Sequence, residues 1–103
     1  MGSFHDAQAE RLGRLDEAAR WYEEAARDAP GAEVLGALAR TYRKLGAHRE
    51  LARTLERLAE AAPSAATRKE LLLEVAKIMS DTLSDRDGAV QAYRKVLAVD
   101  PED

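Results

Sequence analysis

The residues best suited to chemistry in this chain are its two histidines and its many carboxylates, and their spacing favours no catalytic site. His5 and His48 stand far apart, and neither has a second ligand one helical turn away, as a zinc site would require. The acidic residues fall mainly on predicted solvent-facing sides of helices, where little favours acid–base catalysis. Cysteine is absent, which excludes disulfides and thiolate metal sites. We therefore predict a protein that is not an enzyme and uses no metal or cofactor.

Basic residues on two predicted helices, 35–45 and 64–83, offer the clearest candidate binding site. The predicted peptide groove is formed by residues on corresponding outward edges of these helices: Arg40, Arg43, Lys44, Leu73 and Lys77. A line of positive charge can hold an acidic peptide through charge-assisted hydrogen bonds. The alternative interpretation is that these are solvated surface charges, with Glu10, Glu70 and Asp81 cancelling their field.

A single tryptophan is a second candidate contact. Trp21 adjoins Tyr22, and neighbouring residues on a helix are rotated by about 100°, so the two rings cannot face the same neighbour. If Tyr22 packs inside its repeat, Trp21 becomes an anchor for a partner, since buried aromatic residues dominate interface energetics. The alternative is that Trp21 folds over Phe4 or over the end of the first hairpin.

The elements that position these residues are helices. Apolar residues recur at steps of three and four along two successive segments, 35–45 and 51–62, which places them on one stripe of each helix. Gly46 can adopt the left-handed backbone that ends the first segment, and Pro63 closes the second. Ala, Leu, Glu and Arg dominate the composition. We therefore predict an all-α fold.

The hairpin is repeated along the chain with a common spacing in its second helix. The aligned positions are Gly13, Ala18, Tyr22, Ala25 and Pro30, then Gly46, Leu51, Leu55, Leu58 and Pro63, then Ser84, Ala89, Tyr93, Val96 and Pro101. The proline-to-proline period is 33 and then 38 residues, so the third copy has a longer entry and one extra residue in its turn. In the first copy, the sequence predicts a short helix over 4–12 that ends at Gly13.

A helix–turn–helix with a period near 34 residues resembles the tetratricopeptide repeat, or TPR. The segments GRLDEAARWYEEAARDAPG and DRDGAVQAYRKVLAVDPED look like the family's second helix, and LARTYRKLG resembles the end of its first. The resemblance implies a right-handed superhelical array of three antiparallel helix-turn-helix repeats, a single domain over 4–103 with repeats at 4–30, 31–63 and 64–101. It also implies a non-catalytic interaction module whose first helices line a concave groove for a peptide or partner helix. Residues 1–3 resemble an expression remnant.

Charge and the last predicted helix bound the choice of partners. The net charge of −3, with both signs interspersed, disfavours nucleic acid, and no apolar run approaches the ~20 residues of a membrane span. We expect a cytoplasmic protein.

Val90, Leu97 and Val99 are predicted to face a fourth repeat that this chain lacks, which favours a homodimer through the C-terminal helix. The alternative function is therefore a structural or engineered self-assembling unit.

Overall fold

The computed structural model describes the backbone of residues 3–99 and the side chains of residues 13–99. The described chain is helical throughout, with short connections, and its elements are α1 (Ser3–Asp28), α2 (Ala32–Leu45), α3 (His48–Ala61), α4 (Ala65–Lys77), a π-helical turn (Ile78–Thr82) and α5 (Arg86–Val99). Each helix packs on the next one in sequence. The predicted all-α, TPR-like array is confirmed. The side chains of Phe4, His5 and Glu10 and the whole of Pro101 lie outside the described residues.

The predicted turn at Gly13 is wrong, because α1 runs through this position as one helix of 26 residues. A glycine inside a helix costs only about 1 kcal/mol relative to alanine, and the surrounding Arg, Leu, Glu and Ala residues are strong helix formers. No neighbouring atom lies within 4 Å of the position that a Cβ at Gly13 would occupy. The segment before Gly13 therefore extends the second helix of the first repeat and does not fold back as a separate first helix.

The central hairpin forms as the sequence predicts. Gly46 has a φ of 71°, in the left-handed region, and its N–H donates to the carbonyl oxygen of Arg43 at 3.2 Å. The N–H of Ala47 donates to the carbonyl oxygen of Tyr42 at 3.0 Å, which completes a Schellman-type end to α2. Helix α3 ends at Ala61, just before Pro63.

The third repeat differs from the second in the connection between its two helices. Met79 corresponds to Tyr42 with an offset of 37 residues, whereas Ser84 corresponds to Gly46 with an offset of 38. The extra residue falls in the π-helical turn, where the N–H of Leu83 donates to the carbonyl oxygen of Ile78 at 3.0 Å. Ser84 then takes a φ of 52° in place of a glycine. The one-residue excess in the sequence is therefore absorbed as a π turn, followed by a strained left-handed serine.

The core follows the helical stripes. One buried cluster joins α2, α3, α4 and α5 through Ala39, Leu51, Ala52, Leu55, Val75, Ala76 and Ala92. A second joins α1 to α2 through Ala19, Ala26, Leu35 and Leu38. Register is conserved between repeats: Leu35 and Leu38 are buried in α2, and so are their counterparts Leu72 and Val75 in α4. The stripes predicted to face inward on α2, α3 and α4 therefore line the described core.

Candidate interaction surfaces

The first candidate surface lies between the outward edges of α2 and α4. Both helices pack on α3, yet no Cα atom of α2 lies within 8 Å of a Cα atom of α4. The two are bridged near their C-terminal ends by an ion pair between Arg43 and Glu74. Exposed side chains line both edges. We call the surface between these two edges the groove.

All five residues predicted for the groove are exposed on these two helices: Arg40, Arg43, Lys44, Leu73 and Lys77. Arg43 pairs with Glu74, a partner 31 residues away that helical spacing alone could not reveal. Among the described residues, Arg40, Lys44 and Lys77 form no ion pair. The groove thus keeps three of its four cations available.

The two walls of the groove differ in charge. The outward edge of α2 carries three bases, Arg40, Arg43 and Lys44, and one acid, Glu33. The outward edge of α4 carries two acids, Glu70 and Glu74, beside one base, Lys77. Leu73 is 39% exposed on α4, and its counterpart on α2 is Gly36, which is half-buried. The groove therefore has a basic wall, a mixed wall and one projecting aliphatic side chain.

Equivalent ion pairs join the second helices of successive repeats, α1, α3 and α5. Arg57 of α3 donates to Glu23 of α1 at 3.2 Å, and Lys95 of α5 donates to Glu56 of α3 at 2.9 Å. These pairs occupy the same register in successive repeats. Burial and the neighbouring carboxylate of Glu23 raise the pKa of Tyr42. A polar network therefore links α1, α2 and α3.

The second candidate surface is the outer face of α5. Val90, Tyr93 and Leu97 are 43%, 47% and 58% exposed. The alignment of Tyr93 with Tyr22 and Leu55, together with the apolar stripe of α5, predicts that its ring packs inward. This prediction is wrong, because among residues 3–99 no helix covers this side of α5. Val99 lies elsewhere on the helix, packed against the cluster of Ala59, Leu72 and Val96.

The third candidate surface surrounds Trp21, which is 76% exposed on α1. Its counterparts in the other second helices, Thr54 and Ala92, are both buried. Ala92 packs in one cluster with Val75 and Ala76 of α4, the first helix of its own repeat. Among the described residues no first helix packs on the corresponding side of α1, so the indole is open to solvent.

Sites for ions and membranes find no support in the described residues. No group of three His, Cys, Asp or Glu side chains among residues 13–99 is placed to hold a metal ion. Within the same described part of the chain, no helix has the length and apolar character needed to cross a bilayer. His48 lies half-buried at the start of α3, and the side chain of His5 lies outside the described residues.

Comparison with known families decides the nature of the central hairpin. Residues 34–69 match the family described as Tetratricopeptide repeat, a range that covers most of α2, all of α3 and the start of α4. This stretch is a TPR-like repeat. Comparison with curated proteins found no match. The TPR family suggests a protein–protein interaction module and is generally non-catalytic.

Proposed function

We propose that this chain is a non-catalytic module that holds a peptide or a partner's helix in the groove between α2 and α4. The observation that carries the proposal is the pair of exposed bases, Arg40 and Lys77, flanking the exposed Leu73. Neither base has an ion-pair partner among the described residues. A ligand that supplied the missing acids and covered the leucine would satisfy both features at once.

The unequal walls define the ligand more closely. A uniformly acidic peptide would meet Glu70 and Glu74 on α4, and like charges brought together weaken binding. An amphipathic helix avoids this by turning its acids toward Arg40 and Lys44 and an aliphatic side chain toward Leu73. We therefore propose an amphipathic acidic helix as the preferred ligand class, bound by a single domain over 4–103 in the cytoplasm.

The test uses a synthetic helical peptide with glutamates on one face and leucines on the next. Its fluorescence anisotropy is titrated with the protein, beside a peptide in which every glutamate is replaced by lysine. We expect the acidic peptide to bind more tightly and its affinity to fall as salt rises, since screening weakens charge pairing. Arg40→Glu combined with Lys77→Glu should reduce affinity by about tenfold or more.

The matched control reverses two charges of the same sign on α3. Arg49 and Arg53 are exposed there and form no ion pair among the described residues. Arg49→Glu combined with Arg53→Glu changes the net charge equally and should leave most of the affinity intact. If both double variants lose affinity to the same extent, the attraction is a property of total charge and the groove is not the binding site.

A second candidate function is a structural or engineered self-assembling unit, and the exposed α5 face favours it. Val90, Tyr93 and Leu97 form an apolar stripe of large side chains, which monomeric proteins usually cover. A homodimer through this helix should appear in sedimentation experiments as a mass that depends on protein concentration. Peptide binding in the groove does not require association, so a module with that function alone would keep the mass of a monomer, and a rising mass would add self-assembly without arguing against the groove.

A further inference from the structure

The two ends of the helical stack expose complementary surfaces. At one end, α1 presents Trp21 on a stripe with Ala18 and Ala25, three residues before it and four residues after it. At the other end, α5 presents Val90, Tyr93 and Leu97. The indole projects above the small side chains around it. A ring that projects in this way can insert into a depression on another surface.

Such a depression lies at the start of the α5 face. It is an open cavity of about 390 Å³ lined by Ser80, Ser84, Arg86, Ala89, Val90 and Tyr93. Ala89, Val90 and Tyr93 give the cavity one apolar side that suits an aromatic ring, the serine hydroxyls can accept the indole N–H, and the guanidinium of Arg86 can stack on the ring face. The π turn helps to build this cavity, because it carries Ser80 and leads into Ser84.

Charge is complementary between the two ends as well. Glu17, Glu24 and Asp28 lie one turn before, one turn after and two turns after Trp21 on the same side of α1, and all three are exposed. None of them forms an ion pair among the described residues. On α5, Arg86 lies in line with Val90, and Arg94 borders Leu97; both are exposed, and the exposed Asp87 lies beside them. With Arg14 counted on the α1 face and Asp87 on the α5 face, the first keeps a net negative charge and the second a net positive one.

Arg94 also interrupts the pattern of ion pairs along the second helices. It occupies the position held by Glu23 in α1 and Glu56 in α3, the two acids that pair with a base on the second helix of the next repeat. A further second helix with a base at the matching position would be repelled by Arg94. The partner of α5 should therefore be acidic, as the Trp21 face of α1 is.

We propose that the occupant of the α5 face is a second copy of this chain, bound head to tail, with Trp21 of one copy inserted into the cavity beside Val90 of the other. The contact joins two different surfaces, so it leaves one of each free and extends into open chains of copies. A symmetric α5–α5 contact would instead bring Arg86 and Arg94 of both copies together. This proposal is independent of peptide binding in the groove.

The decisive experiment mixes two variants, each blocked at one end. Trp21→Ala removes the inserted ring, and Val90→Glu places a carboxylate in the cavity, where it repels the acids of α1. Sedimentation of the unaltered protein should show masses that rise with concentration past that of a dimer. Each variant alone should be monomeric, with its association constant lowered about tenfold or more. Their equimolar mixture should form a heterodimer and nothing larger.

Three outcomes would overturn the proposal. Association of Trp21→Ala alone would assign the contact to α5 on both copies, and association of Val90→Glu alone would assign it to α1. A monomeric unaltered protein at about 100 μM would exclude a contact even of moderate strength. If Val90→Glu loses helical circular dichroism, Leu97→Glu, at the most exposed position of the same face, replaces it.

Two controls separate this contact from the groove. Leu73→Ala removes an exposed aliphatic side chain that belongs to neither end, and association should be unchanged. Trp21→Ala should still bind the acidic helical peptide, while Arg40→Glu with Lys77→Glu should still assemble. Failure of one proposal therefore leaves the other testable.

Discussion

Helices α3 and α5 share one register and differ in what covers them. Ala52, Leu55 and Ala59 of α3 are buried where α4 packs on that helix, whereas the residues at the same positions of α5 are the exposed Val90, Tyr93 and Leu97. The exposed set is the bulkier of the two. Burial here is decided by the neighbouring helix and not by residue type.

This difference also indicates how a partner would approach each surface. The alanines on α3 allow α4 to pack closely, as small residues between helices do. Large side chains on α5 keep a partner's backbone farther away and offer a cavity beside it. We infer that α5 is suited to receiving a protruding side chain rather than a closely packed helix.

The largest expected effect comes from truncating the same register position in both helices. Leu55→Ala should destabilise the protein by about 2–5 kcal/mol, because Leu55 is buried in the cluster joining four helices. Tyr93→Ala should cost less than about 1 kcal/mol, since its ring is half-exposed. Urea unfolding of both variants measures the difference. Equal losses would mean that α5 is covered to the same extent as α3.

A smaller effect is expected at the turns that precede these helices. Gly46→Ala should cost about 1 kcal/mol or more, because a side chain is strained at a φ of 71° even where space is free. Ser84→Gly should stabilise the protein by about 0.5–1 kcal/mol, since it relieves the same strain at a φ of 52°. Thermal unfolding should shift in opposite directions, and a destabilised Ser84→Gly protein would show that the serine side chain contributes more than its backbone strain costs.

The smallest expected effect is a dependence on alkaline pH in the network that ties α3 to α1. The folded protein raises the pKa of Tyr42 above its ordinary value of 10.0, through burial and Glu23. The unfolded chain therefore loses this proton first, so the contribution to stability is complete below about pH 10 and is lost as pH rises through the folded pKa. The free energy of unfolding in urea, measured at neutral and at alkaline pH, gives the stability lost on raising the pH. Tyr42→Phe should remove the tyrosine's part of this loss.

Glu23→Gln provides the second arm of that comparison. It removes a negative charge that raises the pKa of Tyr42, so the alkaline loss attributable to the tyrosine should shrink without disappearing, because burial remains. An unaltered pH dependence in Tyr42→Phe would show that the hydroxyl does not couple to the stability of α1, α2 and α3.

The sequence predicts the central hairpin well because its local signals agree. The apolar stripe of α2, the left-handed Gly46 and the closing Pro63 each point to the same helix ends, and the structure confirms them. The exposure of Val90 and Leu97 is also predictable, since the repeat register identifies the side of α5 that a following helix would cover.

The other features depend on neighbouring residues and on contacts between separate helices, which the spacing of residues in the sequence does not reveal. Gly13 is compatible with either a turn or a helix interior, and the neighbouring helix formers decide for the helix. The Arg43–Glu74 pair spans two helices, so its formation depends on how α2 and α4 are placed on α3. The one-residue excess in the third repeat is visible in the sequence, but its location in a π turn is not.

Trp21 reports directly on the proposed recognition between the two ends of the stack. It is the only tryptophan in the chain, so intrinsic fluorescence arises from it without interference from another indole. In dilute solution its emission should match that of a solvated tryptophan, and it should shift to shorter wavelength as concentration rises, with Val90→Glu abolishing the shift. An emission already at short wavelength in dilute solution, independent of concentration, would show that Trp21 is covered within a single chain and would contradict the account.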